Sequence, residues 1–233
     1  MNFFSLNKEK NENNWESHFA LKPEDISFQL HFFDLYSGDE KKLLANLREV
    51  LQKLNRPDLS GPVYLIVREL LTNSLKAVYK KIYLEYFIAE MGMSDLGYED
   101  WLSIFKTEID THMAENFANL CREKNIFVKF NMTPLAKGLL IEIINDGVPS
   151  EIEWERLQKS LTESKKNTNM AYLFTDEDDE NDLKKEGAGI GVPLISMMLR
   201  NLDLDLDNFK VIMEDNKTIS KLFFPFTLFP RKN

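Results

Sequence analysis

Cysteine is nearly absent: Cys121 is the single one in 233 residues. That excludes an internal disulfide framework and any cysteine-rich zinc site. Basic residues are outnumbered, with 29 Lys+Arg against 38 Asp+Glu and a net charge of −9. An acidic chain without a basic stretch is poorly suited to gripping phosphodiester backbones, so no nucleic-acid partner is expected. No apolar run reaches the roughly 18 residues of a membrane span. Met1 to Asn14 lacks the basic segment and long apolar stretch of a secretory signal. What remains, at 43% apolar and 29% charged, has the make-up of a globular domain with a sizeable core. A cytoplasmic location is expected.

Residues 1–25 are polar and rich in Asn, Glu and Lys, and are expected to be a flexible leader. The run Ile26 to Phe33 is dense in β-formers and predicts a strand. After Ser37-Gly38-Asp39, apolar residues from Leu43 to Leu54 follow helical spacing. Asn55 to Pro62 breaks that helix, and Pro62 suits the first position of the next, Val63 to about Lys80. Residues 81–124 predict two further helices around a Gly92–Gly97 break. The first, Ile82 to Met91, is apolar on nearly all sides, and the second carries Trp101, Phe105, Ile109, Met113, Phe117 and Leu120. Hairpins are expected at Ile126–Asn145, around Thr133 to Gly138, and at Phe209–Phe226, around Asp215-Asn216-Lys217.

Three short stretches are suited to nucleotide chemistry. On the helix after Pro62, Glu69 and Asn73 are four apart and Lys76 three further, so they share one face. A carboxylate, an amide oxygen and an ammonium on one stripe fit Mg²⁺ and phosphates, and equally fit the wet face of an amphipathic helix. Asn145-Asp146-Gly147 closes a strand: an amide or carboxylate there can accept from an adenine amino group while glycine admits the base. A plain turn is the competing reading. Only nine glycines exist, yet Gly187, Gly189 and Gly191 fall together just before an apolar helix. Backbone N–H groups at such a helix start suit an anion, although a tight packing loop would use the same residues.

In this order, E-L-L-x-N-x-x-K-A on a helix, N-D-G after a strand and G-x-G-x-G before a helix resemble the GHKL ATPase superfamily of gyrase, Hsp90, histidine kinases and MutL. The motifs lie at 68–77, 143–149 and 186–195. The resemblance implies an α/β (α+β) two-layer sandwich, a mixed β-sheet backed by helices, over residues 26–228. Within it, 81–124 would be a helical insertion and 148–186 an ATP lid. The cofactors implied are ATP and Mg²⁺. Asn73 would be the metal ligand, Glu69 the catalytic base, Lys76 a phosphate contact, and Gly187, Gly189 and Gly191 the phosphate-side loop. The family usually has Asp-x-Gly in the middle box; aligning on Gly147 puts Asn145 in the adenine-reading position, with Asp146 beside it.

None of His18, His31 and His112 precedes an acidic residue in the manner of a phosphoacceptor. The strand-helix-helix entry is similar to stand-alone anti-sigma-factor serine kinases. The resemblance therefore implies a regulatory protein kinase or ATP-dependent switch with a protein partner; the alternative is a catalytically inert nucleotide-binding interaction module. The hairpin of the two helices in 81–124 is expected either to extend the core or, through surplus apolar surface from Tyr83, Tyr86 and Trp101, to form a homodimer or effector interface. Asp203, Asp205, Asp207 and Glu214 fit four positions of a Ca²⁺ loop, but Asn208 stands where glycine is wanted, and an alternating Leu/Asp edge is the simpler reading.

Overall fold

The structure, a computed structural model, describes residues 21–35, 38–88, 100, 103–105, 107, 114–166 and 191–229. Most of the expected leader, the Gly92–Gly97 break, Trp101, His18, His112, the TDEDDEND run, and Gly187 and Gly189 lie outside the described residues. The chain runs α1 (Pro23–Ile26), β1 (Phe28–Phe32), α2 (Asp39–Lys53), α3 (Ser60–Ile82), α4 (Ala114–Lys124), β2 (Val128–Leu135), β3 (Gly138–Asp146), α5 (Glu151–Lys166), α6 (Gly191–Arg200), β4 (Phe209–Glu214) and β5 (Lys217–Pro225).

One five-stranded sheet in the order β1-β2-β3-β5-β4 is backed by helices. This is the expected two-layer α+β sandwich, with one difference: every pairing is antiparallel, where a mixed sheet was implied. Two tight hairpins set β2 against β3 and β4 against β5, and the long return through α5 and α6 brings β5 back antiparallel to β3. The second hairpin turns on Asp215 and Asn216, both left-handed at φ 49° and 62°, as a two-residue turn matched to strand twist requires.

Alternation sorts each strand into two faces. Phe28, Leu30 and Phe32, Val128, Phe130 and Met132, Leu139, Ile141 and Ile143, and Leu222 and Phe224 face the helices. On the other face, Glu142 and Lys221 pair at 3.2 Å directly across the ladder. The central helix α3 lies on β3 and β2, with Val63, Ile66, Val67, Leu70, Leu71, Leu75, Val78 and Ile82 buried beneath it. It begins at Ser60, earlier than expected, because Pro57–Leu59 forms a 3₁₀ turn leading straight into it. Pro62 is tolerated in the first turn, where its missing N–H would have had no helical partner.

The far end of α3 also differs from expectation. No break separates it from the next segment: α3 continues to Ile82 and passes into a π-helical stretch, Tyr83–Ile88. Tyr83 is 1% exposed, its ring 5.5 Å from Phe105 and 6.1 Å from Phe117. It belongs to the core and supplies no surface for a dimer or effector. Residues 23–25, expected within the leader, belong to the single turn α1, which seats Ile26 in the core.

Candidate functional site

The polar face of α3 carries Glu69, Asn73, Lys76 and Lys80, spaced so that all four fall on one stripe opposite the buried Leu70, Leu71, Leu75 and Val78. Asn73 Nδ2 donates to Glu69 Oε1 at 3.2 Å. Because a carboxylate only accepts, this contact fixes which way the amide points and leaves Asn73 Oδ1 uncommitted. Lys76 is exposed and pairs with no described residue. Lys80 is ion-paired with Glu153 of α5, which fastens the helix after the Asn-Asp-Gly turn to α3.

Helix α6 begins at Gly191, hard against this stripe. A Cβ placed on Gly191 would stand 3.1 Å from Asn73 Nδ2 and 3.1 Å from Glu69 Oε1. The third glycine of the expected loop thus brings a helix N-terminus, the positive end of its dipole, to the carboxylate–amide pair. Residues 69, 73 and 191 come together over 118 positions of chain (191 − 73). Helix α6 is held from behind: Arg200 Nη2 donates to the carbonyl of Ser164 at 2.7 Å, and Ser196 Oγ to the same carbonyl at 3.3 Å.

The middle box divides at the end of β3. Asn145 falls on the face that looks to the helices and is 5% exposed, whereas Asp146, next along the strand, is exposed on the opposite face across from Lys217. Alternation therefore separates the two residues of the expected base site and leaves only Asn145 on the side of α3. Gly147 then takes φ +106°, a conformation glycine adopts without strain. Its N–H donates to the Asn216 carbonyl at 2.9 Å and its carbonyl accepts from Thr218 Oγ1 at 2.8 Å. A Cβ there would lie 3.5 Å from Lys81 Cδ, so the turn abuts the last turn of α3.

Sequence reasoning did not find the Lys80–Glu153 pair. One of its anchors was legible: Ser150-Glu151-Ile152-Glu153 is a capping box, with Ser150 N–H donating to Glu153 Oε2 at 2.7 Å and Glu153 N–H to Ser150 Oγ at 3.3 Å. A second cluster steadies α3 against α2. Tyr64 donates to Glu40, Arg68 Nε reaches the same carboxylate oxygen at 2.8 Å, and the Tyr64 hydroxyl pKa is pushed up to about 12 by burial and by Glu40. Two acidic residues of the Ca²⁺-like run have local duties: Asp205 caps the turn Leu206–Asn208 by accepting from Asp207 N, and Asp207 pairs with Lys165 at 2.6 Å. His31 stacks on Phe127 at 4.0 Å.

No family model and no solved structure matches the chain. It is similar to an uncharacterized protein of Treponema pallidum (strain Nichols), 25% identical over 195 residues, which cover 82% of this chain and 35% of that protein. The chain thus spans about a third of the length of that relative. Among the described residues, no helix is long and apolar enough to cross a membrane.

Proposed function

We propose that the chain binds Mg²⁺–ATP between the polar face of α3 and the start of α6, in the manner of GHKL nucleotide-binding domains, and acts as a regulatory kinase or ATP-dependent switch on a protein partner. The observation that carries this is the approach of Gly191 to Asn73 and Glu69. Two sequence-distant motifs meet at a helix N-terminus, where phosphate is favoured.

The residues fit the group they would hold. Asn73 Oδ1 is an uncommitted neutral oxygen of the kind Mg²⁺ accepts, and Gly191 leaves open the space that a Cβ would fill. Lys76, unpaired among the described residues, is free to offset phosphate charge. Bound Mg²⁺ would neutralise phosphate oxygens and fix their orientation. Glu69 keeps Oε2 clear of the Asn73 contact; that oxygen is the candidate to accept a proton from a hydroxyl or water, while Asn73 holds the carboxylate in place.

Glu69→Gln tests the base. The variant is expected to bind Mg²⁺–ATP as wild type does and to lose phosphoryl transfer or hydrolysis by about 10²–10⁴-fold, the usual worth of general-base catalysis. Turnover at the wild-type rate would remove Glu69 from the chemistry. If wild-type protein binds ATP yet turns nothing over with any partner fraction, the chain is a nucleotide-dependent interaction module.

A further inference from the structure

We infer that the base end of this site discriminates weakly at the purine 6-position, so that 6-oxopurine nucleotides such as ITP are ligands alongside ATP. This rests on the nucleotide-binding reading above and names the ligand class of the same site. The observation is Asn145: its side chain is 5% exposed, it faces the helical layer, and it makes no hydrogen bond to any described residue.

Asn145 is little exposed, yet its amide is not one of the sealed polar atoms left without a partner, a class that among the described residues holds Ser60 Oγ, so the amide can be reached by a partner from outside. The cross-strand neighbour of Asn145 has its hydroxyl proton engaged elsewhere. Thr218 stands across from Asn145 in the β3–β5 register, and its hydroxyl donates to the Gly147 carbonyl at 2.8 Å. The adjoining Gly147, at φ +106°, has no side chain to block approach from the turn. Asn145 is thus a donor and an acceptor held ready at the strand end, against the helix that carries Asn73.

The ligand class follows from what an amide can do and a carboxylate cannot. Adenine presents an amino donor at the 6-position and an acceptor at N1; Asn145 can accept with Oδ1 and donate with Nδ2. Hypoxanthine and guanine present an acceptor at the 6-position and a donor at N1, and the same amide turned over by half a rotation meets both. A carboxylate accepts only, so it takes the adenine amino group and repels a 6-oxo group. With no described residue fixing its orientation, Asn145 is free to serve either edge.

The test is the affinity of the full chain for ATP and for ITP, each with Mg²⁺, by calorimetry; the two bases differ only at the 6-position and N1. The inference predicts dissociation constants within about tenfold of each other for wild type, about 1.4 kcal/mol by the affinity relation. Asn145→Asp should separate them by about 10² or more in favour of ATP, as expected when a polar group is left facing a like one. A wild-type preference for ATP of more than about tenfold would overturn the inference and leave the nucleotide reading standing. Binding of neither nucleotide would overturn both. The wild-type comparison decides the matter even where the variant fails to fold.

Discussion

Gly191 has one hydrogen where any other residue would carry a side chain, and the space it leaves is bounded by Asn73 and Glu69. Its backbone is not left-handed, so alanine is compatible with the helix at that position. Gly191→Ala should therefore keep the fold but press on the amide–carboxylate pair. Crowding of this kind costs about 1–3 kcal/mol when neighbours cannot move away. If it falls on the bound state, nucleotide affinity drops about tenfold or more. Titration of the variant with Mg²⁺–ATP checks this; unchanged affinity would mean that α6 does not border the nucleotide. The contrast with Asp146 teaches the same lesson. Asn145 and Asp146 stand side by side in the sequence, and the strand's alternation sends the first to the helices and the second to the far face.

The helix α3 is tied to its neighbours by charge on both flanks, and this gives its stability a pH dependence of known sign. The Tyr64 hydroxyl, with the Arg68 guanidinium, holds the Glu40 carboxyl below its ordinary range, against the opposing effect of burial. A carboxylate depressed in the folded state stabilises above its unfolded pKa, and that stability is lost as pH falls through the folded value. Asp207, lowered mainly by its hydrogen bond from Lys165, acts in the same direction. Glu40→Gln should remove at most about 1 kcal/mol at neutral pH, given the cluster's exposure, and should flatten the stability–pH curve below about pH 5. Denaturant melts of both proteins across that range measure it; parallel acid limbs would refute the assignment. At this level much of the fold was legible: β1, α2, α3 and both hairpins follow from periodicity and turn residues. The junction after Lys80 was not. A pair of charged residues marks no break when the helix carries no proline or glycine there, and Ile82 and Tyr83 are buried by partners distant in sequence. Strand direction was equally illegible for β5, since alternation fixes which face is buried but not which neighbour a strand joins. In the site, the Glu69–Asn73 spacing could be read directly, whereas the arrival of Gly191 beside it depends on how α6 packs on α3 and α5.

Taken as a unit, the chain folds so that Glu69, Asn73, Lys76, Asn145 and Gly191 lie on the α3 side of one sheet, with the Gly147 turn at the last turn of α3 and the α6 start near its middle. From Asn73 to Lys81 along the helix is about 12 Å at 1.5 Å per residue. That separation suits a ligand with a base at one end and phosphates at the other. The most direct measurement is a thermal melt of wild type and Asn73→Ala in ATP, with Mg²⁺ and with the metal chelated. Asn73 is exposed, so its replacement should alter intrinsic stability by no more than about 0.5 kcal/mol. At about 100 times its dissociation constant, a ligand stabilises by about 2.7 kcal/mol. For a chain of this length that raises the melting temperature by about 5–11 °C. The account predicts a shift of that size for wild type with Mg²⁺–ATP, with its metal-dependent part lost in Asn73→Ala. An unchanged wild-type melting temperature at millimolar ATP and Mg²⁺ would contradict it.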